Sequence, residues 1–328
     1  MHKLYEVATD DNFDEDAYLF GNPDVADAVA AKVLASGKEH YSAYGKAEGR
    51  RQRYRVDLDG LKARKLQRLK SLLRQDMPSE SYPDHYDFLT PELRQEFNII
   101  DTTAVSSSTY RQAILDLIEK HKDGLILDCG AGSRSIYFDN VVNFEIAKYP
   151  STDVRGVGEV LPFKDNSFDA VLSITVLEHV KDPWKCAKEI LRVLKPGGDL
   201  YCVVPFLQPL HGYPHHYYNM SHQGLVNLFE GEVDVTLREV YDRVLPIWTL
   251  TWIANSWAQG LSGEALEEFK SLRVADLLTP ATDHLDRSYV QQLSEEKNFE
   301  LASATAIHAV KRQSPPASLL EKAKRLFR

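Results

Sequence analysis

The stretch Leu125-Ile-Leu-Asp-Cys-Gly-Ala-Gly-Ser133 decides the fold of this chain. Its first half is an apolar run of strand length ending in an acid, Asp128, and its second half is a glycine turn. Gly130 and Gly132 lack the Cβ that would hold a ligand away from the backbone. The turn can therefore bend tightly and offer N–H groups to a bound nucleotide-like molecule. Alone, such a motif is weak, and its neighbours give it weight.

Downstream, Val141-Val-Asn-Phe-Glu145 is a second strand-like run ending in an acid, which predicts two neighbouring strand ends carrying carboxylates. Leu161-Pro-Phe-Lys-Asp-Asn-Ser-Phe-Asp-Ala-Val-Leu-Ser173 is a polar turn followed by a third strand, leading into Val176-Leu-Glu-His-Val180. Asp182-Pro183 then caps a helix with Cys186, Ile190 and Leu194 inward, and Leu194-Lys-Pro-Gly-Gly198 turns into a strand at 200–204. A helix with Tyr110, Ile114, Leu117 and Ile118 on one face precedes the first strand. This β-α-β alternation predicts parallel strands joined by crossover helices.

In their order and spacing these pieces resemble the class I S-adenosylmethionine (SAM) dependent methyltransferases of the small-molecule methylase type, over roughly residues 108–230. The resemblance implies an α/β fold: a doubly wound, Rossmann-like, mostly parallel sheet with an antiparallel edge strand, here preceded by a small helical N-terminal module. It implies SAM as cofactor, held by Asp128, Gly130, Ala131, Gly132, Glu145, Gly158, Glu159 and Ser173. Glu145 would accept from the ribose hydroxyls and Asp128 would orient the amino acid end, the alternative for Asp128 being a carboxylate that caps its own turn. Members often carry an aspartate and a small residue before Leu161-Pro-Phe163; Val157-Gly158-Glu159 stands there instead, so the adenine amine would meet Glu159 or a backbone carbonyl. Only eight residues, 133–140, separate the glycine turn from the second strand, whereas a crossover helix with its loops takes about 10–12. Either that helix shrinks to a turn or the second strand begins later.

The loop 205–221 is dense in histidine and tyrosine and leaves the same carboxyl edge. His211, His215 and His216 are candidate bases for an acceptor hydroxyl or amine, because imidazole titrates near neutrality; backbone hydrogen bonding is the competing role. Together with an acid they could bind a metal, but His-x3-His-His lacks the cysteine spacing of typical zinc sites, and no metal is assigned. Glu178-His179 in the family more often shapes the following turn than transfers protons. Methyl transfer needs alignment rather than an enzyme nucleophile.

Residues 1–55 read as the small N-terminal module, with Asn22-Pro23 as cap and first position of an alanine-rich helix. The module resembles one found in bacterial surface and glycan-assembly proteins, which points to a small-molecule, sugar or lipid-linked glycan acceptor. Residues 56–100 read as a basic amphipathic helix and linker, 101–312 as the methyltransferase domain, and 313–328 as an amphipathic tail. The helix carries Lys62, Arg64, Lys65, Arg68, Lys70 and Arg74 between leucines; a solvated connecting helix is the simpler expectation, with a peripheral membrane or protein contact as the alternative for helix and tail. Trp248, Trp252 and Trp257 fall within ten residues, which predicts a core helix packed on the sheet, or an aromatic lid. Residues 299–310 alternate as a final strand.

The 328 residues are 43% hydrophobic, enough for a sizeable core, and the net charge of −9 argues against nucleic acid as a partner. Three cysteines without a Cys-x-x-Cys pair suit a reducing compartment, and no run approaches the ~18 apolar residues of a membrane span, so a cytoplasmic protein is expected. The rival from another class is a noncatalytic binding or scaffold protein on the same fold. A nicotinamide-dependent oxidoreductase is weaker, since Ser135 stands where its third motif glycine would fall.

Overall fold

The computed structural model describes residues 2–55, 57–100, 109–212 and 215–310. The chain packs as two compact units, Met1–Leu245 and Pro246–Arg328. In the first, β1 (His2–Val7) pairs antiparallel with β2 (Arg51–Arg55), so the N-terminal module is not purely helical. Short helices lie between them, among them Glu15–Gly21 and Pro23–Ala30. Pro23 opens its helix as expected, but Asn22 does not cap it. Its Nδ2 instead donates to the carbonyls of Tyr18 and Arg51, both at 2.8 Å, tying the module's helices to β2.

The main sheet is built from β3 (Glu80–Ser81), β4 (Tyr86–Asp87), β5 (Ile126–Cys129), β6 (Val141–Glu145), β7 (Val154–Arg155), β8 (Phe168–Ile174) and β9 (Leu194–Val203). Its seven strands run in the order β3-β4-β7-β6-β5-β8-β9, all parallel except the β3–β4 pair. β5 and β6 are buried along their whole length, as central strands covered on both faces must be. The apolar core on one side gathers Leu127, Phe144, Phe163, Val171 and Ile190, the last from the helix Pro183–Val193. On the other side, Ile114 and Ile118 of the helix Gln112–Lys120 pack against Ile126 and Leu172.

The antiparallel edge strand is present, but residues 299–310 do not form it. Phe299 lies in the helix Glu295–Glu300, and no strand follows through Val310. The edge comes from β3, upstream of the first parallel strand. Two-residue pairing governed by a loop carries no alternating pattern, which is why the sequence pointed elsewhere.

The basic helix is also corrected. It runs Leu58–Leu69, with Asp57 accepting from the Gly60 N–H at 3.1 Å, and it buries Lys62 and Lys65 beside Leu61, Leu66 and Leu69. Lys62 donates to the carbonyls of Pro150 (2.9 Å) and Thr152 (2.6 Å). Lys65 donates to the Val141 carbonyl and pairs with Asp153 at 3.0 Å, both side chains fully buried. Arg64, Arg68 and Lys70 are exposed, Arg68 donating to the Gly124 carbonyl at 3.1 Å, and Arg74, past the helix end, pairs with Asp76.

In the second unit, the helix Pro246–Gln259 packs through Trp257, whose ring stacks on Phe269 at 5.8 Å and whose Nε1 donates to the Tyr289 carbonyl at 2.8 Å. These join a small cluster of Leu261, Ala265 and Leu293. Trp248 is 56% exposed. The amphipathic tail at 313–328 lies outside the described residues. Among the described residues, no helix is long and apolar enough to cross a membrane.

Candidate functional site

β5 is flanked by β6 on one side and β8 on the other, and the chain winds from β5 to β6 and β7 in one direction before crossing to β8 and β9. The crevice outside the carboxyl ends of β5 and β8 is therefore the topological switch point, where open α/β sheets bind ligands. Gly130 and Gly132 occupy it at φ +79 and +63, a region an L side chain rarely adopts. A Cβ on Gly130 would stand 2.4 Å from Val176 Cγ2, because the glycine turn and the turn after β8 interlock. Thr175, in that second turn, is itself held at φ +54, an unusual conformation for a β-branched residue.

The short crossover resolves in favour of the first alternative: residues 133–140 contain no helix. A buried arginine pins the segment. Arg134 donates through Nε (2.9 Å) and Nη2 (2.8 Å) to Asp128 Oδ2, which also accepts from the Tyr110 hydroxyl at 2.5 Å. Burial works against the Arg134 charge, yet the Asp128 carboxylate outweighs it and holds the guanidinium above its usual range. Asp128 Oδ1 is buried with no hydrogen-bond partner. Asp128 therefore does not cap its own turn through backbone N–H groups: one oxygen holds two side chains and the other is a free acceptor.

Glu145, at the end of β6, is buried and accepts from the N–H groups of Gly132 (2.8 Å), Ile146 (2.7 Å) and Ala147 (3.3 Å). Burial raises its carboxyl above the ordinary range, and those N–H groups oppose the rise. Ala131 is buried between the glycines, its N–H donating to the Phe144 carbonyl at 3.0 Å. Gly158 admits Cys186, whose Sγ would lie 2.7 Å from a Cβ there. Glu159 accepts from the N–H groups of Lys181 (2.9 Å) and Asp182 (3.3 Å), so it ties the turn after β7 to the start of the helix Pro183–Val193. Ser173 is fully buried near the end of β8, and its Oγ has no hydrogen-bond partner.

Just beyond β8, Glu178 is fully buried and neither carboxylate oxygen has a hydrogen-bond partner. Burial pushes its carboxyl up to about 8. The histidine-rich loop folds over it, with the Tyr217 N–H donating to the Glu178 carbonyl at 2.7 Å and His179 Nδ1 lying 2.7 Å from the His215 carbonyl. The rings of His179, His211 and His216 gather, the closest pair being His211 and His216 with centroids 4.2 Å apart. His216 is pushed down to about 4, first by burial and then by the charge of His211. Its Nδ1 accepts from the His211 backbone N–H at 3.1 Å, and its Nε2 faces Asn219 Oδ1 at 3.1 Å. His215 turns away, its Nε2 at 2.9 Å from the Asn98 carbonyl.

The structure thus brings Asp128, the glycine turn, Glu145 and Ser173 to one edge, and His211 with His216 to the loop above Glu178. His215, Gly158 and Glu159 serve contacts of the chain itself. Arg134 was missed by sequence reasoning, and Tyr110, read there as part of a helix's apolar face, lies before the helix Gln112–Lys120 and donates to Asp128. The available signal was a basic residue placed where the crossover was too short for a helix.

A fold of this strand order with a glycine turn at its switch point belongs to the cofactor-binding α/β class, and residues 128–202 match the family model of the methyltransferase domain. Across those residues the chain is similar to methyltransferase domains. An uncharacterized protein of Methanocaldococcus jannaschii is 39% identical over 103 residues, which cover 28% of this chain and 45% of that relative. An uncharacterized methyltransferase of Mycobacterium sp. (strain KMS) is 56% identical over 45 residues, 14% of this chain and 18% of the relative. The chain spans less than half the length of these curated relatives. Among solved structures, a SAM-dependent methyltransferase of Methanosarcina mazei is 20% identical, covering 37% of this chain and 84% of that one with a TM-score of 0.29. Phosphoethanolamine N-methyltransferase 2 of Haemonchus contortus, in complex with S-adenosyl-L-methionine, is 17% identical, covering 48% and 46% with a TM-score of 0.27. Scores this low carry no argument, and the fold stands on its own strand order.

Proposed function

We propose that the chain is a SAM-dependent methyltransferase acting on a hydroxyl or amine of a small-molecule, sugar or lipid-linked glycan acceptor. The observation that supports it is the set of buried acceptors without partners, Asp128 Oδ1 and Ser173 Oγ, beside the glycine turn at the switch point. A buried polar atom left unpaired costs about 1–3 kcal/mol, so a ligand that supplies donors there is stabilised. SAM fits this chemistry. Asp128 Oδ1 would accept from its ammonium, the turn from Gly130 to Gly132 would allow close backbone approach, and Glu145 would receive the ribose hydroxyls. Arg134 adds little net positive charge to the pocket, because Asp128 neutralises it. The cofactor supplies a methyl group activated on a sulfonium. The chain's part is to hold the acceptor in line, exclude water and accept its proton; His216, held at about 4, is too weak a base, which leaves His211 as the residue for that step.

The acceptor class rests on the N-terminal module, and a cytoplasmic location on the three free cysteines, Cys129, Cys186 and Cys202. One observation favours a second reading, a noncatalytic binding protein: the Glu145 carboxylate is already engaged by three backbone N–H groups. Calorimetric titration with SAM, and separately with NAD, decides between them, with Gly130→Arg as control. Micromolar SAM binding that the variant abolishes supports the methyltransferase; an intact protein that binds no SAM is a scaffold.

A further inference from the structure

Glu178, His179 and His211 lie at the carboxyl edge of β8 and in the loop above it, and their ligand atoms all fall within 4.8 Å of one another. His179 Nε2 stands 3.7 Å from Glu178 Oε1, too far for a hydrogen bond. Two ligands at about 2.1 Å from a tetrahedral ion stand roughly 3.4 Å apart, so the gap is close to that of neighbouring ligands on one metal.

The surroundings of each ring point the same way. His179 Nδ1 is 2.7 Å from the His215 carbonyl and His211 Nδ1 is 2.8 Å from the Pro209 carbonyl. In a neutral ring so placed, Nδ1 carries the hydrogen and donates it, and Nε2 carries the lone pair. Metal-bound histidines are oriented in this way, by a carbonyl on the nitrogen that does not ligate. Gly212 makes the approach possible: it sits at φ +84, and a Cβ there would come within 2.3 Å of His179 Cε1. His216 is excluded as a ligand, since its two nitrogens face the His211 N–H and Asn219.

We propose that Glu178, His179 and His211 bind a divalent first-row transition ion of the zinc class, the fully buried Glu178 carboxylate being the anionic ligand that no protein group satisfies. Two imidazoles and one carboxylate are the donor set of open metal sites, which keep a position for water or a substrate oxygen. The site itself rests on the chain's own residues. Its use, presenting an acceptor oxygen and relieving His211 of the role of base, rests on the methyltransferase reading above.

The test uses the full-length, tag-free protein stripped with a chelator, titrated with Zn²⁺ by calorimetry and with Co²⁺ by visible absorption. About one ion per chain at micromolar affinity or tighter is expected, with Glu178→Gln and His211→Ala each weakening it beyond the roughly 10–100-fold that loss of an outer partner costs. Circular dichroism confirms that the variants fold. X-ray absorption of the zinc-loaded wild type provides a measurement that needs no variant, and should show nitrogen and oxygen neighbours at about 2.0–2.2 Å and no sulfur. No ion binding by the wild type, sulfur ligation, or folded variants that bind as tightly as wild type would overturn the proposal. A separate SAM titration keeps the two ideas apart: SAM binding without metal binding ends this inference alone, and metal binding without SAM binding ends the methyltransferase reading alone.

Discussion

Asp128 divides its carboxylate between structure and ligand. One oxygen holds Arg134 and Tyr110, and the other has no partner. Because Arg134 is only 5% exposed, Asp128→Ala takes the paired carboxylate away from a buried cation, and about 3–5 kcal/mol of stability should be lost, measured as a lower urea midpoint. Asp128→Asn keeps the shape and serves as the milder comparison. At Gly130, alanine meets both the positive φ and the Val176 methyl at 2.4 Å. Gly130→Ala should therefore cost about 1–3 kcal/mol and weaken SAM binding at least tenfold, read by denaturation and calorimetry on the same preparation. Full stability with unchanged affinity would show that the turn does not touch the cofactor. Both residues were legible in the sequence, since an acid ending an apolar run and glycines at a turn are local signals. Arg134 was not: a salt bridge across a missing helix depends on what the chain fails to form.

For the elements, the β-α-β alternation from β5 to β9 was readable because buried parallel strands leave continuous apolar runs. The helix Leu58–Leu69 was readable as a helix and misread as to its charged face. Amphipathic spacing reports where leucines point and cannot tell whether a lysine between them finds carbonyls and an aspartate. Desolvation, only partly offset by Asp153, lowers Lys65 to about 8. The unfolded chain keeps its lysine proton up to roughly pH 10.4, so between about pH 8 and that value the unfolded state binds more protons and stability rises with pH. Urea denaturation across this window should show the rise in the wild type and a smaller one in Lys65→Met, where Lys62, also lowered by burial, still contributes. That variant should also be less stable at pH 7, since Asp153 then lacks its cation. A wild type with no rise would place the Lys65 pKa near its ordinary value.

Across the whole molecule, every residue proposed for the cofactor lies in Met1–Leu245, and the helices that follow Leu245 pack on a core of their own. A chain ending at Leu245 should bind SAM with unchanged affinity in calorimetry; weakened binding would give the second unit a direct share in the site. That division was hidden in the sequence, where Trp248, Trp252 and Trp257 read as one helix of the main core; the contacts of Trp257 with Phe269 and Tyr289 reveal a separate cluster.

The edge pair β3–β4 precedes the strands it completes, with Tyr86 pairing to Val154 and Asp87 to Arg155. A chain made from its N-terminus exposes β4 and the lysines of the helix Leu58–Leu69 well before residues 141–155 exist to receive them. During synthesis these early segments have no sheet to join, and they dock only once β6 and β7 emerge. Translation speed through that interval, rather than the stability of the finished fold, sets how long the nascent chain is open to aggregation.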